Sequence, residues 1–249
     1  MIADVRGRSV LVVGGGRGIG RAIAERFAEM GAQVGVTGRD AARTAEVAAA
    51  IADTHSATVS GYELDVTDRA RVRQVVAEFR ADALVYNAGI SPVYTSAEKV
   101  QEKDWDDVLA TNLTGAFVAA QAFAGPLIEQ GAPGSIVLVG SVDSVVGDPR
   151  LVAYTASKAG LAGMARTMAL DWARYGIRVN TVAPGYVATE LTAGLQRNER
   201  LHEAVVARTP QKRFAEPAEI ADLVVFLASD SAGYVTGAVY PIDGGWTAQ

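Results

Sequence analysis

The chain has 249 residues, 49% of them hydrophobic and 20% charged, a balance that excludes a disordered or collagen-like polymer. A net charge of −5 speaks against a nucleic-acid partner, and the lack of cysteine removes disulfides, thiol nucleophiles, iron–sulfur clusters and thiolate zinc. The mixed-charge N-terminus, and no apolar run near the ~20 residues of a membrane helix, predict a soluble cytoplasmic protein with no membrane partner.

Short β-branched apolar runs alternate with longer alanine-rich segments of helical period. Residues 9–13 predict a buried strand, and Ile19, Ile23 and Phe27 fall on one face of a helix over 19–30 that Gly31 stops. Residues 33–37 read as a strand and 41–52 as a helix behind Asp40 as a cap. A strand over 58–66, a helix over 69–79 capped by Asp68, and a strand over 83–86 follow. Then come a long helix from about 105 to 130, a strand at 136–139, a helix at 153–175 and a strand at 178–182. A polar helical stretch over 189–207, a helix over 217–227 and a strand near 238–242 complete the chain. Continuously apolar strands separated by helices are parallel and covered on both faces. The pattern predicts one α/β domain over 1–249, a doubly wound sheet of seven parallel strands.

The first strand runs into Gly14-Gly15-Gly16-Arg17-Gly18-Ile19-Gly20, which opens the first helix. A glycine-rich turn there lets backbone N–H groups approach a pyrophosphate, whereas elsewhere glycines merely punctuate tight turns. The second strand ends Thr37-Gly38-Arg39-Asp40, with no carboxylate at Gly38. Arg39 and Arg17 could grip a ribose 2′-phosphate, so NADP is expected rather than NAD, and Asp40 is read as a helix cap.

Tyr154 and Lys158 stand one helical turn apart, and Ser141 ends the strand upstream. An ammonium within ~4–6 Å lowers a phenol's pKa, and strand C-termini are where α/β sites lie, so these three residues suit proton transfer to a carbonyl oxygen. Fewer than one such tyrosine–lysine pair is expected by chance from eight tyrosines and four lysines.

With the glycine turn, Asn87-Ala88-Gly89, Asn112, Ser141, Tyr154, Lys158 and Pro184-Gly185 in order, the whole chain resembles the short-chain dehydrogenase/reductase family in its NADP-using form. The resemblance implies a single-domain Rossmann fold and hydride exchange between nicotinamide and a carbonyl or secondary alcohol. It implies Tyr154 as general acid/base, Lys158 lowering the tyrosine pKa and holding the nicotinamide ribose, Ser141 polarising the carbonyl, and Asn112 anchoring a relay water. Asn112 could instead bend its own helix. Cofactor contacts are implied for Gly14, Arg17, Gly18, Ile19, Gly20, Arg39, Asp65, Val66, Asn87, Ala88, Gly89, Tyr154, Lys158, Pro184, Gly185, Val187 and Thr189. Asp65 would lie beside the adenine, or be a turn residue. Small faces at 116–124 and 156–169 suit the family's homotetramers, and Trp246 could reach a neighbouring subunit. Val13 stands where the family has a threonine that ties the first strand to Asn87.

The substrate would meet 90–96, 142–151 and a loop over about 186–209. Asp143 reads either as a solvated loop residue or as a contact for a sugar acid or polyol. The chain also resembles 3-oxoacyl-carrier-protein reductases and gluconate 5-dehydrogenases; the former would use a basic patch such as Arg150, Arg197, Arg200 and Arg208. An NADP-binding sensor is the non-enzyme alternative, disfavoured by the full set of Asn112, Ser141, Tyr154 and Lys158. His55 and His202 are read as isolated exposed residues, so no metal is expected, and Trp105 and Trp172 as packing residues.

Overall fold

The computed structural model describes residues 3–248. Seven strands form one parallel sheet in the order β3-β2-β1-β4-β5-β6-β7. They are β1 Ser9–Val13, β2 Gln33–Gly38, β3 Val59–Glu63, β4 Ala83–Tyr86, β5 Gly134–Val139, β6 Ile177–Pro184 and β7 Val239–Ile242. The strand order reverses between β1 and β4, and such a switch opens a crevice at the strand C-termini.

Side chains along β1 show why both faces are covered. Val10 and Val12 enter one core with Ile23 and Phe27 of α1 (Gly18–Glu29), Ile51 of α2 (Ala41–His55) and Ile220 of α9 (Pro217–Ala228). Leu11 and Val13 enter the other with Val72 of α3 (Arg69–Phe79), Phe123 of α5 (Gly115–Gln130) and Leu161 of α6 (Val152–Trp172). The predicted caps are in place: Asp40 accepts the Arg43 N–H at 3.0 Å, and Asp68 accepts those of Ala70 and Arg71.

β3 ends at Glu63, short of the predicted 66, because Asp65 turns the chain by accepting the backbone N–H and hydroxyl of Thr67 at 2.9 and 2.8 Å. The long helix starts earlier than expected, as α4 (Glu102–Leu109), and passes through a π-helical turn at Ala110–Thr114 into α5. By length and composition the helix over Glu102–Gln130 could cross a membrane, which the sequence reading missed, but half of its apolar window is buried inside the protein. The polar stretch after β6 is a 3₁₀ turn (Glu190–Thr192) followed by α7 (Ala193–Arg197) and α8 (Glu199–Arg208).

Two further expectations are corrected. Trp246 is buried in its own chain, tilted against Tyr186 with ring centroids 4.9 Å apart and under the Arg208 guanidinium, so it does not reach outward. His202 is half-buried and stacked on Phe214 at 5.2 Å rather than exposed, and His55 is half-buried at the end of α2. No group of three or more metal-ligating side chains exists among the described residues.

Candidate active site

The crevice at the switch point holds a cleft of about 550 Å³. Gly14 and Arg17 line it from the glycine turn, Arg39 from the end of β2, Asp65 and Val66 after β3, and Asn87, Ala88 and Gly89 after β4. The turn is closed by contact. Gly14 adopts φ +81°, and a Cβ on Gly20 would lie 2.1 Å from the Gly14 carbonyl oxygen, so neither position tolerates a side chain. Asn87 Nδ2 donates to that same oxygen at 2.8 Å.

With no hydroxyl at Val13, the first strand meets the Asn87 segment through its backbone. The Val13 carbonyl accepts the backbone N–H groups of Asn87 and Ala88 at 2.9 and 3.0 Å, and the Thr37 hydroxyl accepts the Gly14 N–H at 3.2 Å.

The cleft's outer end is basic. Arg17, Arg39 and Arg43 all line it, and Arg43, one turn into α2, was not foreseen although it follows Arg39 at helical spacing. Glu190, from the segment after β6, bridges Arg17 at 3.3 Å and Arg43 at 3.0 Å. Arg39 helps hold the Asp65 carboxyl below the usual carboxylate range, after the stronger pull of the Thr67 N–H. Asp65 is therefore both a turn residue and part of the cleft wall.

Four other predicted contacts, Ile19, Pro184, Gly185 and Val187, do not line this cleft. Ile19 packs on the core, Pro184 ends β6 and is buried, Gly185 lies against Asp243, and the Val187 side chain is 3% exposed. Thr189 does reach the glycine turn: its Cγ2 is 3.4 Å from where a Gly18 Cβ would stand.

At the inner end, a Cβ on Gly89 would meet Lys158 Nζ at 3.4 Å and Asn112 Oδ1 at 3.5 Å, so the cleft floor abuts both residues. Asn112 sits fully buried in the π-helical turn. Its amide donates to Ile90 O and Ser157 Oγ, each at 3.0 Å, and its Oδ1 accepts the Ile90 N–H at 2.8 Å. Asn112 therefore ties the loop after β4 to α6 rather than bonding its own helix, and Ser157 is a partner the sequence reading missed.

Lys158 donates to the Val139 carbonyl at 2.8 Å and lies 5.6 Å from the Tyr154 ring centroid. Burial pushes its ammonium down to about 8, opposed by the Asp143 charge. The expected depression of Tyr154 is not found. Burial first and the Asp143 charge second push that phenol up to about 12, with Ser141 pulling the other way.

Asp143 is 4% exposed, which overturns the solvated-loop reading. Its Oδ2 accepts the Ser141 hydroxyl at 3.1 Å, and burial raises the carboxyl to about 6. The three segments expected to face the substrate do meet. Thr95 N–H donates to Arg150 O at 3.1 Å, joining 90–96 to 142–151, and Tyr186 hydroxyl donates to Asp148 at 3.3 Å, joining 142–151 to the segment after β6.

Residues 13–247 match the family model described as enoyl-(acyl carrier protein) reductase. That match spans nearly the whole chain and carries the glycine turn, Ser141, Tyr154 and Lys158 within it. The chain is a short-chain dehydrogenase/reductase. Its fold, an α/β sheet of seven parallel strands, is the one that membership implied. The chain is 43% identical over 75% of its length to the 3-oxoacyl-[acyl-carrier-protein] reductase of Thermotoga maritima, covering 76% of that protein. It is 38% identical to the galactitol 2-dehydrogenase (L-tagatose-forming) of Cereibacter sphaeroides, over 97% of this short-chain dehydrogenase/reductase and 95% of that one. A gluconate 5-dehydrogenase from Burkholderia cenocepacia, solved with NADP and tartrate, superposes with a TM-score of 0.94 at 34% identity, covering 100% of this chain and 99% of that one.

Proposed function

We propose that this short-chain dehydrogenase/reductase uses NADP(H) to interconvert a carbonyl and a secondary alcohol, with a hydroxyl-rich substrate such as a polyol or sugar acid. The carrying observation is the junction at Gly89, where a cleft rimmed by three guanidinium groups ends against Lys158, which lies 5.6 Å from the Tyr154 ring centroid. The residues fit the cofactor. The turn is free of Cβ atoms where a pyrophosphate would lie, nothing within 4 Å blocks the space above Gly16, and no carboxylate stands at Gly38 to oppose a 2′-phosphate.

Gly14, Gly18 and Gly20 would shape the pyrophosphate seat, Arg17 and Arg39 would take the 2′-phosphate, Asp65 and Val66 the adenine, and Asn87, Ala88 and Gly89 the adenosine ribose. Pro184, Gly185, Val187 and Thr189 would lie on the nicotinamide side, several of them through backbone atoms, with the loop over about 186–209 covering the substrate. When bound, the nicotinamide supplies or accepts the hydride.

The protein's own residues handle the proton. Tyr154, raised to about 12, holds its proton at neutral pH and can give it to a substrate oxygen as a general acid. Ser141 orients that oxygen, Lys158 offsets negative charge developing on it, and Asn112 holds the loop after β4 in register with α6. Phe117 on α5 and Leu170 on α6, 44% and 81% exposed, are apolar side chains that a homotetramer paired through these helices would cover.

A 3-oxoacyl-carrier-protein reductase is the second reading, favoured by the 43% identity to such an enzyme. Against it stand the Asp143 and Asp148 carboxyls beside the site, poor company for an acyl chain. The test follows reduced-nicotinamide absorbance with a panel of polyols, sugar acids and β-ketoacyl thioesters. Turnover of a polyol or sugar acid that Tyr154→Phe abolishes supports the proposal; equal rates for the two proteins overturn it.

A further inference from the structure

Two residues after Ser141, Asp143 occupies the 3₁₀ turn Val142–Ser144 with an unusual set of neighbours. Its Oδ2 stands 3.1 Å from Ser141 Oγ, its own backbone N–H donates to that oxygen at 3.2 Å, and its Oδ1 is buried with no hydrogen-bond partner. A serine hydroxyl has one proton to give and two lone pairs. An ionised Asp143 can only accept, so it commits the Ser141 proton to itself. A neutral Asp143 can donate to Ser141 Oγ; with the backbone N–H filling the other lone pair, the hydroxyl proton is then released from Asp143 and can turn to the Tyr154 side, where Ser141 already hydrogen-bonds the phenol. An orphaned buried oxygen also costs less on a neutral carboxyl than on a carboxylate.

We propose that Asp143 is a positioning residue that sets the direction of the Ser141 hydroxyl: neutral, it turns that proton toward the substrate oxygen, and ionised, it withdraws it. This rests on the reading of Ser141 and Tyr154 given above. The proton balance is simple. Tyr154 gives the proton that ends on the product hydroxyl, Ser141 only hydrogen-bonds, and Asp143 keeps its own proton throughout. The charged and titratable groups around Asp143 are Asp148 on its own loop, Tyr154 and Lys158 on α6, and Tyr186 after β6, which in turn feels Arg208 on α8. Burial and Asp148 raise the Asp143 carboxyl while Ser141 and Lys158 lower it, leaving it near 6, where small pH changes ionise it.

The test is kcat/KM for carbonyl reduction at saturating NADPH, from about pH 5 to about pH 8, in wild type, Asp143→Asn and Asp143→Ala. Wild type is expected to lose about tenfold across that range as the Ser141 donor is withdrawn. Asp143→Asn, whose amide can donate to Ser141 Oγ at every pH, is expected to lose this limb and to exceed wild type at pH 8. Asp143→Ala, with no acceptor, is expected to be equally flat. A limb that persists in both variants overturns the proposal, and so does a wild-type profile without one, which needs no variant to fold. Tyr154→Phe run alongside separates the two levels: if it is inactive while the Asp143 profiles are unchanged, only this inference fails.

Discussion

At the β2 end of the crevice Arg17 and Arg43 stand half in water, held by a two-pronged contact with Glu190. At the β5 end Ser141, Asp143 and Lys158 are each at most 9% exposed, and the protonation of Lys158 and Asp143 is displaced mainly by burial. The contrast teaches how one crevice divides its work. Exposed charges give attraction that is worth little individually and is screened by salt, which suits a cofactor that must come and go. Buried groups keep abnormal proton affinities, which suits chemistry.

The comparison breaks most sharply at the phenol. Tyr154→Phe is expected to lower kcat by about 10²–10⁴-fold with little change in NADPH affinity, measured by steady-state kinetics and fluorescence titration. A loss confined to KM would place Tyr154 outside the chemistry.

Asp143→Asn probes the same buried end through stability. The native carboxyl titrates near 6, above its ordinary 3.8, so between those values the folded state binds more protons than the unfolded. Stability contributed by that proton is therefore present at low pH and lost as pH rises through about 6. Asp143→Asn lacks this loss, and the gap in its favour is expected to open above about pH 4 and reach about 1–3 kcal/mol at neutral pH, read from urea midpoints.

The exposed end answers more gently. Arg39→Ala is expected to raise KM for NADPH about tenfold and leave NADH unchanged, the gap narrowing in high salt. Glu190→Gln releases Arg17 and Arg43 from their bridge, and a two- to threefold fall in KM for NADPH is expected, as befits an exposed ion pair. An effect as large as that of Arg39→Ala would make Glu190 a gate rather than a screened contact.

Where an interaction spans only a few residues, the sequence already announced it. Asp40 and Asp68 cap their helices as expected, β1 and β4 begin and end where the apolar runs do, and the glycine turn joins β1 to α1. The errors arose where distant segments meet. Trp246 looked like a tail residue until Tyr186 and Arg208 enclosed it. Asn112 sits in a π-helical turn that no residue pattern disclosed, and its partners Ile90 and Ser157 lie 22 and 45 positions away.

Residue order alone determined the doubly wound α/β plan and the positions of the turn, the serine, the tyrosine and the lysine, because hydrophobic period and helix capping act within one or two turns of chain. Tertiary structure alone decided that burial and Asp143 push the Tyr154 phenol up, that Lys158 faces the Val139 carbonyl and that Asp143 is enclosed beside Ser141. Desolvation is a property of everything packed around a group, and around these groups β5, α6 and the segment after β6 come together from distant parts of the chain.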